Sequence, residues 1–512
     1  MNPSQRIVLN TVATYTRSVI AAGLALFSTR WVLTALGPTD FGLFSVIGSL
    51  IAFISFLCTS MGSSVSRYFA YSIGQQDKYE LNKWFNAAIG IHLLIAIILI
   101  TSSWLVGEFV IANVLNIPSI RISASLNVYR ISLLAAFVGM ITIPFYALFV
   151  AKQRIYELAV WGTIYSLLIF FFAYILNHIN SDRLIFYAYY MAGLAILIQC
   201  VYVIRAMTTI PECTLNRHHI FDSMRWRRLM SFTSWHTVNG VGFVMSNQGI
   251  AILLNLYFGP RVNAAYGIAN QVSAQAGQLS TAMIGALSPE IAAREGFGDR
   301  ERMIALSNRA SKFSTVLALL FVIPVFVEMD YLLKLWLKSA PDHTAEFCGI
   351  MLLSFAIDKL SVGSEIAINA VGRIAVQYGV IGTLRILTLP MGYLFLIIFS
   401  KVSIVITAIL ITNIAISIFR IYWMKQLLNV PYFRWIRDVF FKCMMAAGGA
   451  IVFAMIPYWL LQPSYLRALL VLFSNTAGIT LISWFFVLDV NEKFFISEYI
   501  NSIKRKFAYI YI

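Results

Sequence analysis

Charged residues are scarce in this chain: Asp, Glu, Lys and Arg make up 12% of 512 residues, where a soluble protein carries about 25%. Acidic residues are the scarcer kind, 22 against 38 Lys and Arg. So little charge excludes a soluble protein of ordinary composition. Cysteine is rare as well. Cys58, Cys200, Cys213, Cys348 and Cys443 have no C-x-x-C spacing, which argues against a zinc or disulfide framework and leaves small apolar fillers or free thiols. There is no P-loop, H-E-x-x-H, G-x-S-x-G or dinucleotide fingerprint. No enzyme activity, cofactor or metal is therefore expected, and any transport has to be facilitated or driven by an ion gradient or membrane potential. The short alternating segments of a membrane β-barrel are missing too.

What is present is apolar sequence, 60% of the residues. It recurs in runs of 18 or more, and about 20 helical residues cross a hydrocarbon core of roughly 30 Å. Lipid offers no partner to exposed backbone groups, so the spans are helices. The fold class expected is an all-α polytopic membrane protein with about 14 transmembrane helices. The spans fall at about 11–36, 41–65, 85–112, 125–150, 157–177 and 184–204, then 229–258, 264–290, 313–333, 345–371, 375–399 and 402–423, and finally 438–461 and 465–488. Two six-helix lobes result, 1–204 and 229–423, joined by a basic linker at 205–228 and followed by an extra helix pair and tail at 424–512. The segment from Met1 to Arg6 has one charge and no small-residue cleavage site, so the first span reads as retained.

The formal charge of +16 does not point to nucleic acid, because the basic residues recur in short loops between apolar runs. Lys78, Lys83, Lys152, Arg154, Arg205, Arg217, Arg225, Arg227 and Arg228 gather on one side, with Arg294, Arg300, Arg302 and the tail lysines. Few lie opposite: Arg121, Arg183, Arg261, Lys334, Lys338, Lys401 and Arg467. This bias places both termini in the cytoplasm.

A repeat runs at a spacing of 222 residues: Gly37-Pro38 and Gly259-Pro260 end the first and seventh spans, and Asp77 and Asp299 follow the next span in each half. Ala151-Lys152-Gln153-Arg154 parallels Gly372-Arg373-Ile374. Parallel repeats of this kind occur in transporters.

Candidate functional residues are the polar and charged groups at membrane depth, which are costly there and face a bundle interior or wet cavity. Arg17 and Arg30 lie in the first apolar stretch; snorkelling to the two faces is the plainer alternative. In the tenth span Ser354, Asp358, Ser361 and Glu365 form one helical stripe. Lys359 points away from it and needs its own partner, and Arg385 in the next span is the expected counter-charge. This stripe reads as proton or cation coupling through Asp358 and Glu365, as part of a polar substrate path, or as an ion pair that only fixes packing. His236, Gly240 and Asn247 share a face of the seventh span, and Gln271, Gln275 and Gln278 a face of the eighth, a lumen lining or interhelical glue. Arg130 and Arg420 are expected to snorkel, and Glu328 to approach the outer face without a central role.

The stretch Leu36-Gly37-Pro38-Thr39-Asp40-Phe41-Gly42-Leu43 is similar to the L-G-x-x-x-[FY]-G junction of the polysaccharide flippases of the MATE-like MOP exporter superfamily, and Arg67 with Gly74-Gln75-Gln76-Asp77 resembles the basic turn that follows it. Phe258-Gly259-Pro260 with Ala265-Tyr266-Gly267 repeats the junction. The resemblance covers roughly residues 1–425 and is nearest to the Wzx-type O-antigen exporters. It implies a flippase of the bacterial inner membrane that moves undecaprenyl-pyrophosphate-linked oligosaccharide units to the periplasmic leaflet by alternating access. It implies a cationic central cavity, matched here by Arg17, Arg30, Lys359 and Arg385, with Asn247, Gln271, Gln275 and Gln278 for sugar hydroxyls. Implied partners are the lipid-linked oligosaccharide, membrane lipids, a coupling proton or sodium ion, and polymerase or other biosynthesis proteins. Many such flippases have twelve spans, so fourteen leaves the lipid II and teichoic-type branches open. An ion-coupled multidrug or metabolite antiporter of the same fold is the main alternative, and a membrane polymerase or glycosyltransferase a more distant one.

Overall fold

Two glycines set the layout of the chain. Gly37 (φ 74°, ψ 170°) and Gly259 (φ 80°, ψ −178°) occupy a backbone region that a Cβ makes costly. Each is followed by a proline, whose fixed φ and missing N–H suit the first turn of a new helix. Gly37 thereby breaks the continuous stretch Pro3–Gly74 into α1 (3–36) and α2 (38–74). Gly259 separates α7 (Ser223–Phe258) from α8 (Pro260–Gly296). The computed structural model describes the backbone of residues 3–399, 401–490, 492 and 493; the side chains of 3–9, 11, 12, 15, 53, 55–60, 63, 74, 231–239, 278, 279, 281, 282, 285, 286, 289, 292 and 293 lie outside the described residues.

The remaining helices are α3 (Lys78–Asn113), α4 (Ile122–Ala151), α5 (Ile155–Ile175), α6 (Arg183–Thr209), α9 (Arg300–Val327), the short α10 (Met329–Leu337), α11 (Thr344–Val371), α12 (Ile374–Phe399), α13 (Val402–Leu428), α14 (Tyr432–Leu460) and α15 (Tyr465–Val487). Strands are absent among the described residues. Among the described residues twelve stretches are long and apolar enough to cross a membrane, and the chain is a multi-pass membrane protein. The sequence reading reaches fourteen for two physical reasons. Hydropathy counts Thr16–Ala52 once although Gly37 divides it, and α8 drops out because asparagine, glutamines and serines interrupt its apolar run. Exposed apolar side chains such as Ile97, Leu105, Phe109, Phe171 and Phe473 are what lipid-facing helices present.

Side-chain caps start several of these helices: Asp77 accepts from Glu80 N at 2.8 Å, Asp222 from Arg225 N at 3.0 Å, Asp299 from Arg302 N at 3.3 Å and Ser464 from Arg467 N at 3.2 Å. The repeat is visible in the backbone. Gln76 (φ 57°) and Gly298 (φ 77°), one residue before the caps Asp77 and Asp299, are both left-handed, as are Gln153 (φ 55°) and Gly372 (φ 83°) in the next matched turn. Left-handed residues close helix C-termini, so the two halves end and restart their helices with the same device.

The chain forms two compact units. Unit 1 holds residues 1–271, 336–348 and 375–412; unit 2 holds 272–335, 349–374 and 413–512. In unit 1, α2 packs on α3, α4 and α6 through two apolar clusters, one around Phe69, Phe85 and Phe149, the other around Ile47, Val128 and Leu184. The starts of α2 and α8 cross closely, because a Cβ on Gly42 would run into the Pro260 carbonyl and one on Gly267 would lie 2.9 Å from Ser45 Oγ. The connection between α6 and α7 is held against α3. Asn82 donates to the carbonyls of Glu212 (2.9 Å) and Thr214 (2.8 Å), Asn86 Oδ1 accepts from Asn216 N at 2.8 Å, and Trp226 Nε1 donates to the Ala87 carbonyl at 2.9 Å. Cys213 is buried under it, and burial pushes its thiol pKa up to about 12. Cys200, Cys213, Cys348 and Cys443 are free thiols, and the Cys58 side chain lies outside the described residues.

In unit 2, α14 and α15 form a tight hairpin on α9 around Leu319, Ile323, Ala450, Ala454, Val471 and Ile479. Buried ion pairs fasten it at the middle and at the C-terminal end of α9. Arg467 meets Glu328 at 2.6 Å, and Glu492 accepts from Lys312 and Arg309, each at 3.0 Å. Glu328 is thus a buried anchor for the terminal pair, a role the sequence reading did not give it.

Candidate functional site

The polar stripe of α11 does face another helix, and that helix is α13. Asn413 donates to Ser354 Oγ at 2.6 Å, Ser361 donates to Ser417 Oγ at 3.0 Å, and Arg420 reaches both carboxylates. Its Nη1 lies 2.8 Å from Asp358 Oδ1 and its Nη2 2.5 Å from Glu365 Oε2. Asp358 and Glu365 are two turns apart on α11, about 10 Å along the axis, and one guanidinium bridges them. Arg420 is 3% exposed, so one expectation needs correction. Arg420 does not snorkel but supplies a counter-charge to the stripe. The missed signal was a second polar stripe: Asn413, Ser417 and Arg420 stand at i, i+4 and i+7 of α13.

Lys359 is corrected as well. Its ammonium turns back to Asp358 Oδ2 at 2.9 Å, and it lies over the Phe355 ring at 4.9 Å. A long flexible stem overcomes the 100° offset between adjacent residues. Asp358, Lys359, Glu365 and Arg420 together carry no net charge. Removing one partner of such a buried network leaves a charge uncompensated, which costs about 3–5 kcal/mol.

The cations of unit 1 are placed otherwise. Arg17, in α1, packs its guanidinium against Gly162 of α5, where a Cβ would occupy the same space. Arg30 lies thirteen residues on, about 20 Å along the axis. Neither has an acidic partner among the described residues. Arg385, in α12, stacks over Phe243 of α7 with its guanidinium carbon 5.2 Å from the ring centroid. Beside it the two helices nearly touch, since a Cβ on Gly242 would lie 2.5 Å from the Gly382 carbonyl. Arg130 also departs from simple snorkelling, pairing with Glu108 at 2.6 Å.

The uncharged candidates divide. Gln271 commits its whole side chain to α1, accepting from Thr29 Oγ1 at 2.6 Å and donating to the Ala25 carbonyl at 3.1 Å. That is helix–helix glue. Asn247 donates to the Phe243 carbonyl of its own helix at 3.0 Å, while its backbone carbonyl accepts from Tyr266 at 2.9 Å. Gln275, in unit 2, buries its Oε1 without a hydrogen-bond partner among the described residues. The side chains of His236 and Gln278 lie outside the described residues.

No family model and no curated protein matches this chain. Solved structures do. An inward-facing multidrug resistance MATE family transporter of the MOP superfamily superposes with a TM-score of 0.69 at 12% identity, over 82% of this chain and 98% of its own. The lipid II flippase MurJ, inward closed, gives a TM-score of 0.67 at 12% identity, over 93% and 98%. A MOP superfamily transporter from Pyrococcus furiosus, whose binding pocket is described as of reverse polarity, gives 0.60 at 13% identity, over 84% and 96%. Likeness at such low identity speaks to architecture alone, and on that ground this multi-pass membrane protein has the MATE-like fold.

Proposed function

We propose that the chain is an exporter of the MOP superfamily type that flips undecaprenyl-pyrophosphate-linked oligosaccharide repeat units to the outer leaflet by alternating access, for O-antigen or another surface polysaccharide. The observation that carries this reading is the set of cations in unit 1: Arg17 and Arg30 stand in an apolar stretch with no acidic partner among the described residues. Unneutralised guanidinium groups at that depth favour an anionic ligand, and pyrophosphate is recognised by charge-assisted hydrogen bonds. The fold shared with a lipid II flippase supports a lipid-linked substrate. In this reading Arg17, Arg30 and Arg385 engage the pyrophosphate, polar side chains such as Asn247 meet the sugars, and the lipid tail stays in the bilayer. Lys359 takes part only when it leaves Asp358. Coupling through Asp358 and Glu365 proceeds by competition, with a proton or sodium ion displacing Arg420 from one carboxylate.

The fold likeness to a multidrug transporter supports an antiporter as the second reading. Against it, the acidic pair that would attract a cationic drug is already bound by Arg420. Deletion of the gene in its host separates the two. Cytoplasmic accumulation of lipid-linked oligosaccharide with loss of surface polymer, restored by wild type but not by Arg30→Ala, is the expected result. Normal polymer without accumulation, in a strain with no redundant exporter, would overturn the flippase reading.

A further inference from the structure

The connection between α6 and α7 has more exposed apolar and basic surface than a linker needs. Leu215 is 61%, Phe221 80% and Met224 62% exposed. Arg217, Arg227 and Arg228 stand among them, exposed and with no acidic partner among the described residues. The two carboxylates of the segment are already used: Glu212 pairs with Lys152 at 2.5 Å, and Asp222 pairs with Arg225.

The height of this segment along α3 tells what faces it. Between Lys83 and Glu108 α3 carries no Asp, Glu, Lys or Arg, so its hydrocarbon-compatible stretch begins near residue 84. The hydrogen bonds from Asn82, Asn86 and Trp226 fasten the connection across that point. Further along, Ile220 closes on Gly90 so tightly that a Cβ on the glycine would clash with its carbonyl. The segment therefore sits where headgroups give way to acyl chains. Apolar side chains interleaved with arginines at that level match a surface of anionic lipid, oily below and negative above.

We propose that residues 215–228 form a membrane-surface anchor, with Phe221, Leu215 and Met224 inserted at the acyl boundary and Arg217, Arg227 and Arg228 bound to anionic headgroups. The test uses the full chain in phosphatidylcholine nanodiscs with or without phosphatidylglycerol. A nitroxide at Phe221→Cys, with the native cysteines replaced by alanine, is expected to be reached better by oxygen than by an aqueous nickel chelate, and a label at the exposed Lys78 position less well. Equal access of the chelate to both positions would overturn insertion. In the native cysteine background, replacing Arg217, Arg227 and Arg228 by glutamine should lower the co-purifying phosphatidylglycerol about fivefold per arginine, at roughly 1 kcal/mol each. Unchanged retention would overturn the anionic-lipid assignment even if the segment is inserted.

Discussion

In unit 2 the charges at membrane depth close on one another, Arg420 spanning Asp358 and Glu365 while Lys359 returns to Asp358. In unit 1 Arg17 and Arg30 have no such closure among the described residues, and Arg17 rests on a glycine of α5. Both arrangements expose the chain to the desolvation cost of charge, and they meet it in different ways. A neutral network offsets that cost within the protein and stiffens the helices that carry it. An uncompensated cation leaves the cost standing until a ligand or water arrives. The contrast teaches where to look for substrate chemistry: both places hold charge at membrane depth, and the difference lies in what is already spent.

The sharpest way to break this comparison is to take Arg420 away. Arg420→Met leaves Glu365 without its partner and Asp358 with Lys359 alone, and should lower stability by about 3–5 kcal/mol, read as thermal unfolding in detergent. Adding Glu365→Gln, which restores neutrality with Lys359 still on Asp358, should recover most of that loss. If the single substitution leaves stability unchanged, the network is not closed as described.

Unit 1 should respond in the opposite sense. Arg30→Ala should leave unfolding nearly unchanged while export falls about 10- to 150-fold, as the loss of a charge-assisted contact worth about 1.5–3 kcal/mol predicts. Lipid-linked intermediate and surface polymer are the readouts, and a folding defect without a transport defect would place Arg30 with the structural charges. Gly37→Ala and Gly259→Ala should each cost about 1–3 kcal/mol, because both demand the same forbidden backbone region. Unequal losses, measured by unfolding, would show that the two halves do not share the device.

The smallest effect is the pH response of the Lys152–Glu212 pair. Burial disfavours the Glu212 carboxylate, but the hydrogen bond and charge of Lys152, a backbone hydrogen bond and the charge of Lys78 together outweigh it and hold its pKa below the ordinary value. The pair's contribution is therefore present above the ordinary carboxylate pKa and disappears as pH falls through the lowered one. Glu212→Gln should destabilise by about 1 kcal/mol at neutral pH, and the difference from wild type should vanish in acid.

Much of this architecture was legible because it rests on local chemistry. Long apolar runs, glycine–proline breaks and capping aspartates each act within a few residues, so every helix but the short α10, and the 222-residue repeat, could be read directly. The stripe on α11 was legible as a face, since helical periodicity fixes direction. Its partner was not, because periodicity says nothing about which neighbour arrives. Arg420 was as available in sequence as Arg385, and only packing brings it onto the stripe. Gln271 illustrates the same limit: three glutamines in a row look like a lining, yet one of them is wholly committed to α1. The clamped connection between α6 and α7 escaped notice because Asn82, Asn86 and Gly90 are unremarkable until Ile220 and Asn216 lie against them.

The pairing of α9 with the terminal hairpin also sets a clock. Lys312 and Glu328 find their partners at Glu492 and Arg467, 180 and 139 residues later in the chain. Synthesis at about 5–20 residues per second makes α9 wait roughly 10–30 s, with a lysine and a glutamate unanswered, before the last two helices emerge. During that interval the nascent chain needs a polar refuge, at the insertion machinery or under an insertase, and a ribosome that stalls before α15 leaves behind a helix the bilayer has reason to reject.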